Sequence, residues 1–149
     1  MMSPTDTARE QMVQQQVRAW DVLDERVLDT FRKIPRELFV PAEHRFLAFA
    51  DTPVPLAHGQ HMLRPNVAGR LLQALELTGA ERVLEIGTGS GFLTACLAAA
   101  AASVRSIEIF PDLADRARAN LESLGVRNAR VVTADAAGPA AAGAGEHTA

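Results

Sequence analysis

Apolar residues recur at helical spacing in the first part of the chain. Residues 5–20, TDTAREQMVQQQVRAW, contain no Gly or Pro and begin with Thr and Asp residues that suit a helix N-terminus. In residues 24–34 the apolar side chains fall on one helical face, and Pro35 ends the segment. The pattern therefore predicts two helices. We expect the following apolar side chains to belong to the core: Met12, Val13, Val17, Phe31 and Phe39.

Residues 35–65 contain five prolines and show no strong hydrophobic period. This pattern predicts short helical turns and loops. Irregular segments of this length inside a compact domain are usually functional. We therefore interpret the segment, and LAHGQHMLRP at residues 56–65 above all, as a candidate substrate-binding loop.

A third helix is predicted directly after this segment. Asn66 is a suitable cap for residues 67–77, VAGRLLQALEL, and the Thr78-Gly79 pair is expected to end the helix. Its apolar residues are expected to form one buried face, made of Val67, Leu71, Leu72 and Leu75.

After Gly79 the pattern changes to short apolar blocks that alternate with longer periodic ones. Strands are predicted at 81–87, 104–110 and 128–135, and helices at 91–101 and 111–125, with Pro111 in the first turn of the last helix and Gly125 at its end. Such alternation is typical of an α/β fold with a parallel sheet flanked by helices.

A doubly wound sheet normally has more strands than the three that are clear here. The expected organisation is a single domain over residues 1–135, with an N-terminal helical extension and with C-terminal strands missing. Residues 136–149 are rich in Ala and Gly and are expected to be a disordered tail.

The composition narrows the classes of function. The chain has 149 residues and a net charge of −3 with scattered basic residues, which argues against a nucleic-acid partner. Its longest apolar run, residues 93–103, is too short to span a bilayer, and no secretory signal begins the sequence. The single cysteine, Cys96, is expected to be a buried, inert thiol. Together these features predict a cytoplasmic protein without a membrane partner.

The sequence VLEIGTGSGF, residues 83–92, carries the chemistry. An apolar strand runs into three alternate glycines and then into a helix, so backbone N–H groups can approach a ligand closely. The dinucleotide pattern G-x-G-x-x-G fails, because Phe92 occupies the place of its third glycine. With Glu85 two residues before Gly87, the segment instead resembles the first motif of Rossmann-like methyltransferases, which bind S-adenosylmethionine.

Two later acids extend this interpretation. Glu108 ends the second predicted strand, where a carboxylate can accept hydrogen bonds from both ribose hydroxyls. Asp135 ends the third, and the methyltransferase resemblance implies that it contacts the adenine amino group. Each acid taken alone, Glu85 included, could also be a solvated charge at a strand end, but the three together favour the cofactor interpretation. The candidate cofactor-binding residues are Glu85, Gly87, Thr88, Gly89, Ser90, Gly91, Glu108, Ile109 and Asp135.

A wider stretch of the chain resembles one family. Residues 11–41, 56–65, 81–98 and 103–121 are similar in order and spacing to protein-L-isoaspartate O-methyltransferases, and the similarity covers about residues 9–135. The resemblance implies a Rossmann-like methyltransferase fold. It also implies an enzyme that transfers a methyl group from S-adenosylmethionine to the free carboxylate of isoaspartyl residues in a protein or peptide.

The substrate loop departs from the family pattern. The family has a Thr-Ile-Ser segment after its Gly-Gln pair, whereas Leu63 stands here in place of the serine and has no hydrogen-bonding group. No catalytic residue is assigned. The candidates in this loop are His58, Gln60, His61 and Arg64, of which Arg64 is either a carboxylate partner or a surface arginine.

Other interpretations remain open at this point. No metal site is expected, because His58 and His61 lack further ligands at suitable spacing. The Leu63 substitution and the Ala/Gly tail favour a non-catalytic S-adenosylmethionine-binding module or a truncated, inactive fragment. An exposed edge of the short sheet could support a homodimer. A dinucleotide oxidoreductase is the least favoured alternative.

Overall fold

The computed structural model describes residues 2–137. Most of the tail predicted to be disordered, residues 138–149, lies outside the described residues. The helices are α1 Pro4–Met12, α2 Glu25–Lys33, α3 Pro65–Leu75, α4 Phe92–Ala100 and α5 Pro111–Ser123. The strands are β1 Val54–Pro55, β2 His61–Met62, β3 Arg82–Ile86, β4 Ser103–Glu108 and β5 Ala129–Thr133.

The main sheet is parallel, as predicted, with the strand order β3-β4-β5. Ile86 of β3 lies opposite Ile107 of β4, and Glu108 of β4 lies opposite Thr133 of β5, so the three strands end at the same edge of the sheet. Helices α4 and α5 connect successive strands and pack against the sheet. The α/β fold predicted from the alternating pattern is thus confirmed.

The bounds of the second half are close to the predicted ones. Pro111 is the first residue of α5, and Gly125 has φ +70° directly after the helix end, as predicted. Strand β5, however, ends at Thr133, so Asp135 lies in the following turn instead of on the strand. Cys96 is fully buried, and burial raises the pKa of its thiol, which fits the predicted inert core residue.

The first predicted helix is helical throughout but is not one regular α-helix. A capping box between Ser3 and Asp6 starts α1, which ends at Met12. A π-helical turn, Val13–Val17, and a 3₁₀ turn, Arg18–Trp20, follow. Despite this change of period, the five core residues named from the sequence are all buried, as predicted: Met12, Val13, Val17, Phe31 and Phe39.

Helix α3 differs from the prediction in its start, its end and its buried face. Arg64 occupies the cap position and Pro65 begins the helix, so Asn66 lies inside it. The helix ends at Leu75 instead of near residue 78. Leu72 is buried and Leu75 is partly buried against the core, as predicted, but Val67 is 43% and Leu71 is 46% exposed, so the predicted apolar face is wrong for these two residues.

The buried face of α3 contains Ala68 and Gly69. An added Cβ at Gly69 would lie only 2.7 Å from Cγ1 of Val17. At its closest approach to the N-terminal segment the helix therefore places Gly69, its smallest residue, because a larger residue would not allow such close packing.

Residues 35–65 contain the predicted 3₁₀ turns, Arg36–Phe39 and Ala42–Leu47, and also a small antiparallel hairpin that the sequence did not indicate. Strands β1 and β2 of this hairpin have two residues each, too few for a period of two to be visible. The loop between them, residues 56–60, contains His58 and Gly59 in the left-handed region. No helix within residues 2–137 is long and apolar enough to cross a membrane.

Candidate functional site

The turn between β3 and α4 forms the centre of the site. Gly87, Gly89 and Gly91 all have positive φ, at 90°, 58° and 94°. Residues other than glycine rarely adopt this backbone conformation. The N–H of Gly87 bonds to the carbonyl of Ile107 at 2.8 Å, which ties the turn to β4. Within residues 2–137 no side chain caps α4, so its first N–H groups remain available to a ligand.

Gly91 has a different environment from the other two glycines. A Cβ placed on it would lie 3.3 Å from Cβ of Ala117, on α5. Gly91 lines neither of the two cavities beside the turn. Its role in the structure is to let α4 begin close against α5.

Glu108, at the end of β4, holds the glycine turn with its carboxylate. Oε1 accepts the N–H of Gly89 at 2.9 Å, and Oε2 accepts the N–H of Phe110 at 3.1 Å. A carboxylate has about four acceptor positions, so capacity for two further donors remains. Glu108 is therefore fixed in place by the backbone and can still accept hydrogen bonds from hydroxyl groups of a ligand.

The strand ends surround an open cavity of about 280 Å³, here called the strand-end cleft. Five of the nine predicted cofactor residues line it: Gly87, Gly89, Glu108, Ile109 and Asp135. Gln60 and His61, from the predicted substrate loop, also line it. The structure thus brings the glycine turn, two acids and part of the loop together around one space.

A second, smaller cavity of about 80 Å³, here called the inner cavity, also borders the glycine turn. It contains the remaining predicted cofactor residues apart from Gly91, namely Glu85, Thr88 and Ser90. Leu63, His61 and Arg36 also line it. Its lining shares Gly87, Gly89 and His61 with that of the strand-end cleft.

Glu85 is buried and forms hydrogen bonds within the protein. The hydroxyl of Thr94 donates to Oε1 of Glu85, and the hydroxyl of Ser106 donates to the same oxygen at 2.6 Å. Thr88 lies 2.5 Å from Ser106 and extends this network into the turn. Burial raises the pKa of Glu85 to about 7, which its hydrogen bonds only partly oppose. Glu85 anchors the turn and lines the inner cavity but not the strand-end cleft.

The four candidate residues of the substrate loop do not form one group. Gln60 and His61 line the strand-end cleft. His58 instead stacks on Phe110, with ring centroids 4.2 Å apart, and its Nε2 lies 2.7 Å from Oδ1 of Asp112. These contacts dock the hairpin loop onto the start of α5. Arg64 is exposed and lines neither cavity.

Sequence reasoning missed two contributions to this site. Thr94 and Ser106 support Glu85, although nothing in their local sequence marks them out. Arg36 lines the inner cavity from the 3₁₀ turn Arg36–Phe39. The available signal for Arg36 was a charged residue in the segment IPRELFV, residues 34–40, whose other members are mostly apolar.

Two further features do not compete with this site. Within residues 2–137 no cluster of His, Cys, Asp and Glu side chains is suited to hold a metal ion. A cavity of about 330 Å³ lies between α2 and the C-terminal ends of α3 and α4, but it shares no residue with the glycine turn. The chemistry of the glycine turn, and not cavity size, therefore identifies the candidate site.

The parallel sheet, the glycine turn and the acids at the strand ends define a Rossmann-like methyltransferase fold. A solved protein-L-isoaspartate O-methyltransferase superposes with a TM-score of 0.74 at 24% identity, over 86% of this chain and 42% of that one. A second structure, of a beta-aspartate methyltransferase from Plasmodium falciparum in complex with S-adenosyl-L-homocysteine, gives 0.67 at 21% identity, over 85% and 62%. These likenesses establish the fold.

Sequence comparison then defines the family. Residues 7–143 match the model of the family described as Protein-L-isoaspartate(D-aspartate) O-methyltransferase (PCMT), and the chain belongs to this family. It is 48% identical over 132 residues to the protein-L-isoaspartate O-methyltransferase of Methanoculleus marisnigri, covering 89% of this chain and 60% of the relative. It is 46% identical over 127 residues to protein-L-isoaspartate O-methyltransferase 1 of Rhodopseudomonas palustris, covering 85% and 52%. The chain therefore spans about half to three fifths of the length of these curated relatives.

Proposed function

We propose that the protein transfers a methyl group from S-adenosylmethionine to the free carboxylate of isoaspartyl residues in proteins or peptides. The observation that carries this proposal is the strand-end cleft, which joins Gly87, Gly89, Glu108 and Asp135 around one open space. Family membership supports the choice of acceptor. Because the chain spans only part of its relatives, the activity of the whole protein is part of the proposal.

The residues of the cleft fit an adenosyl ligand. Glu108 has two acceptor positions left for the ribose hydroxyls, and Asp135 is exposed at the adjoining turn, where it can accept from the adenine amino group. Nothing lies within 4 Å of the position of a Cβ on Gly87, so a ligand can approach the backbone there. The carboxyl ends of the strands are the usual place for such a ligand in open α/β sheets.

The proposed reaction depends more on the position of the acceptor relative to the methyl group than on proton transfer. The bound cofactor supplies an electrophilic methyl group on a sulfonium. The acceptor carboxylate is already ionised at neutral pH, so no general base is needed to activate it. The protein's task is to align the acceptor and to exclude water, and the β1–β2 hairpin is the element placed for this. Leu56 of its loop lies 3.3 Å from the position of a Cβ on Gly89, directly over the turn.

A second candidate is a non-catalytic module that binds S-adenosylmethionine. Leu63 favours it, because the residue lines the inner cavity and brings no hydroxyl to an acceptor. In this case the cofactor site would be intact and methyl transfer absent. The two candidates therefore differ in turnover and not in cofactor binding.

Calorimetric titration of the purified chain with S-adenosylhomocysteine, with NAD as control ligand, tests the cofactor site. We expect S-adenosylhomocysteine to bind with micromolar affinity, a binding free energy on the order of −8 kcal/mol. We expect NAD not to bind. Glu108→Gln should weaken this binding about 10- to 100-fold, because it removes the charge from the ligand hydrogen bonds and replaces one oxygen that accepts a backbone N–H with an amide donor. Glu122→Gln makes the same change at an exposed position on α5 and should leave binding unchanged.

A methyl-transfer assay then separates the two candidates. With an isoaspartyl peptide as acceptor and the aspartyl isomer as control, transfer to the first alone supports the enzyme. Binding of S-adenosylhomocysteine without transfer supports the non-catalytic module. Tight binding of NAD would contradict both. The cytoplasmic location and the lack of a nucleic-acid partner stay predictions from the composition.

A further inference from the structure

Arg36 is a charged side chain almost completely removed from solvent. It is 1% exposed, and it lies in the 3₁₀ turn Arg36–Phe39. Its Nε donates to the carbonyl of Ala48 at 2.9 Å, and one terminal nitrogen donates to the carbonyl of Leu63 at 2.8 Å. The guanidinium carbon lies 4.8 Å from the centre of the Phe92 ring. Two backbone carbonyls and one aromatic face thus hold the group in a fixed orientation.

Among the described residues, 2–137, the positive charge of Arg36 has no partner of opposite charge. None of the carboxylates in residues 2–137 forms a hydrogen bond or an ion pair with it, and its other terminal nitrogen, Nη1, has no hydrogen-bond partner. Burial lowers the pKa of Arg36 to about 10, so the group still carries its charge at neutral pH. A buried charge normally has an ionic partner, because its desolvation is otherwise uncompensated.

Arg36 lines the inner cavity, and other features of that cavity also suit an anion. Phe92 and Leu93, the first residues of α4, line it, and no side chain caps this helix. The N-terminus of a helix attracts negative charge through its free N–H groups. A volume of about 80 Å³ is room for two or three water molecules, or for the headgroup of an amino acid.

One acid also lines the inner cavity. Oε1 of Glu85 already accepts hydrogen bonds from Thr94 and Ser106. An acid and an unpaired arginine in one small space are suited to a zwitterion, in which an ammonium group lies toward Glu85 and a carboxylate toward Arg36. The same arrangement can also hold a simple carboxylate at the Arg36 end.

We propose that Arg36 is the carboxylate anchor of the inner cavity. Its free Nη1 binds a carboxylate that enters beside the glycine turn, and this contact completes the charge balance of the guanidinium. Two ligands of the proposed reaction carry such a group, namely the amino-acid end of the cofactor and the isoaspartyl acceptor. The inference rests on the proposed function in so far as it assigns the carboxylate to one of these two ligands.

Binding to the unmodified chain distinguishes the two sources. S-adenosylhomocysteine has the whole amino-acid end, carboxylate and ammonium, whereas 5′-methylthioadenosine lacks both, so the Arg36 variants are needed to assign the difference to the carboxylate. If Arg36 binds the cofactor, S-adenosylhomocysteine should bind about 10- to 100-fold more tightly, as expected for a charge-assisted hydrogen bond. If Arg36 binds the acceptor, the chain saturated with S-adenosylhomocysteine should prefer an isoaspartyl peptide to the same peptide with the free α-carboxylate of that residue amidated, by a similar factor.

Substitutions then assign the preference to Arg36. Arg36→Met keeps a side chain of similar volume and removes the charge. It should therefore abolish the carboxylate preference, whether the preference is seen with the nucleosides or with the peptides. Arg36→Lys should retain part of that preference. Arg118→Met is the control for removing an arginine outside the cavity: the guanidinium of Arg118 also bonds to a backbone carbonyl, that of Val131, but it is 42% exposed, pairs with Asp115 and does not line the inner cavity. Thermal unfolding of each variant shows that it is folded at the temperature of the titration.

A direct readout keeps the inference testable if Arg36→Met does not fold. In the unmodified chain, the ¹⁵N resonance of the Arg36 side chain should shift on addition of S-adenosylhomocysteine or the acceptor peptide, and less with the ligand that lacks the carboxylate. If neither nucleoside binds, the proposed function fails. Sodium acetate should still shift the resonance relative to sodium chloride. Either of two results would overturn the inference: a carboxylate preference that is unchanged in Arg36→Met, or an Arg36 ¹⁵N resonance that no carboxylate shifts.

Discussion

Gly91 shows how one residue couples the glycine turn to the rest of the protein. It has φ +94°, and a Cβ there would lie 3.3 Å from Cβ and 3.5 Å from Cα of Ala117. Gly91→Ala therefore combines left-handed strain, of about 1–2 kcal/mol, with a contact against α5 that the backbone cannot easily relieve. We expect it to lower the free energy of unfolding by about 2–4 kcal/mol, measured by urea denaturation.

Gly125→Ala is the control for this prediction. Gly125 also has positive φ, at +70°, but nothing lies within 4 Å of the position of its Cβ. Its replacement should cause only the left-handed strain, of about 1–2 kcal/mol. Equal losses of stability in the two variants would mean that the packing of Gly91 against α5 contributes nothing.

Glu85 should give the protein a characteristic dependence of stability on pH. Burial raises the pKa of this group in the folded state to about 7, whereas the unfolded chain has an ordinary value of about 4.3. Folding thus favours the protonated form, and its contribution to stability is complete below the unfolded pKa and is lost as the pH rises through 7. Glu85→Gln keeps an acceptor for Thr94 and Ser106 and cannot ionise. The midpoint of thermal unfolding of this variant, relative to the unmodified chain, should therefore rise between pH 5 and pH 8.

Glu81→Gln tests the same argument at a group whose pKa is lowered, and not raised, in the folded state. Hydrogen bonds from Thr78 lower the pKa of Glu81 to about 2, so its contribution is lost only as the pH falls below the ordinary value. The difference between Glu81→Gln and the unmodified chain should be constant from pH 5 to pH 8. A constant difference for Glu85→Gln over that range would show that Glu85 is not protonated more readily in the folded state.

Between elements, the closest approach is that of α3 to the π-helical turn Val13–Val17. Replacing a helical glycine by alanine normally stabilises a helix by about 1 kcal/mol. At Gly69 the added Cβ would lie 2.7 Å from Cγ1 of Val17, and valine has little rotamer freedom with which to avoid it. We expect Gly69→Ala to lower the free energy of unfolding by about 1–3 kcal/mol, measured by urea denaturation.

Val17→Ala supplies the internal control, because it removes the methyl group that the new Cβ would meet. In the double variant the two changes should be less destabilising together than the sum of the single effects, by about 0.5–2 kcal/mol. Strict additivity would show that the close packing of α3 against this turn does not limit the residue at position 69.

At the same scale, the sequence predicted the elements after Gly79 much better than those before it. Strands β3 to β5 and helices α4 and α5 have clear periods, and their bounds agree within a few residues. The π-helical turn was not predicted, because Gln14, Gln15 and Gln16 suit an α-helix equally well. The buried face of α3 was only partly predicted, because hydrophobicity favoured Val67 and Leu71, whereas close packing required Ala68 and Gly69.

For the molecule as a whole, the parts of the site that are local in sequence could be predicted. The glycine turn and Glu108 lie at strand ends, and strand ends meet at one edge of a parallel sheet. Arg36 could not be assigned to the site, because its contacts with Ala48, Leu63 and Phe92 depend on tertiary packing. The contact between His58 and Asp112 joins residues 54 positions apart and was hidden for the same reason.

The sheet edge leads to a prediction about assembly. Within residues 2–137, β3 pairs only with β4, and Ile86 at its end is 59% exposed. An unpaired edge strand offers backbone donors and acceptors to a further strand. We therefore predict that the purified chain forms a homodimer through β3, detected as a concentration-dependent increase in mass by sedimentation velocity. Ile86→Lys should weaken the dimer, because a charged side chain on an edge strand opposes pairing. Ile109→Lys, at an exposed position after β4, should not, whereas a monomer at all concentrations would contradict the prediction.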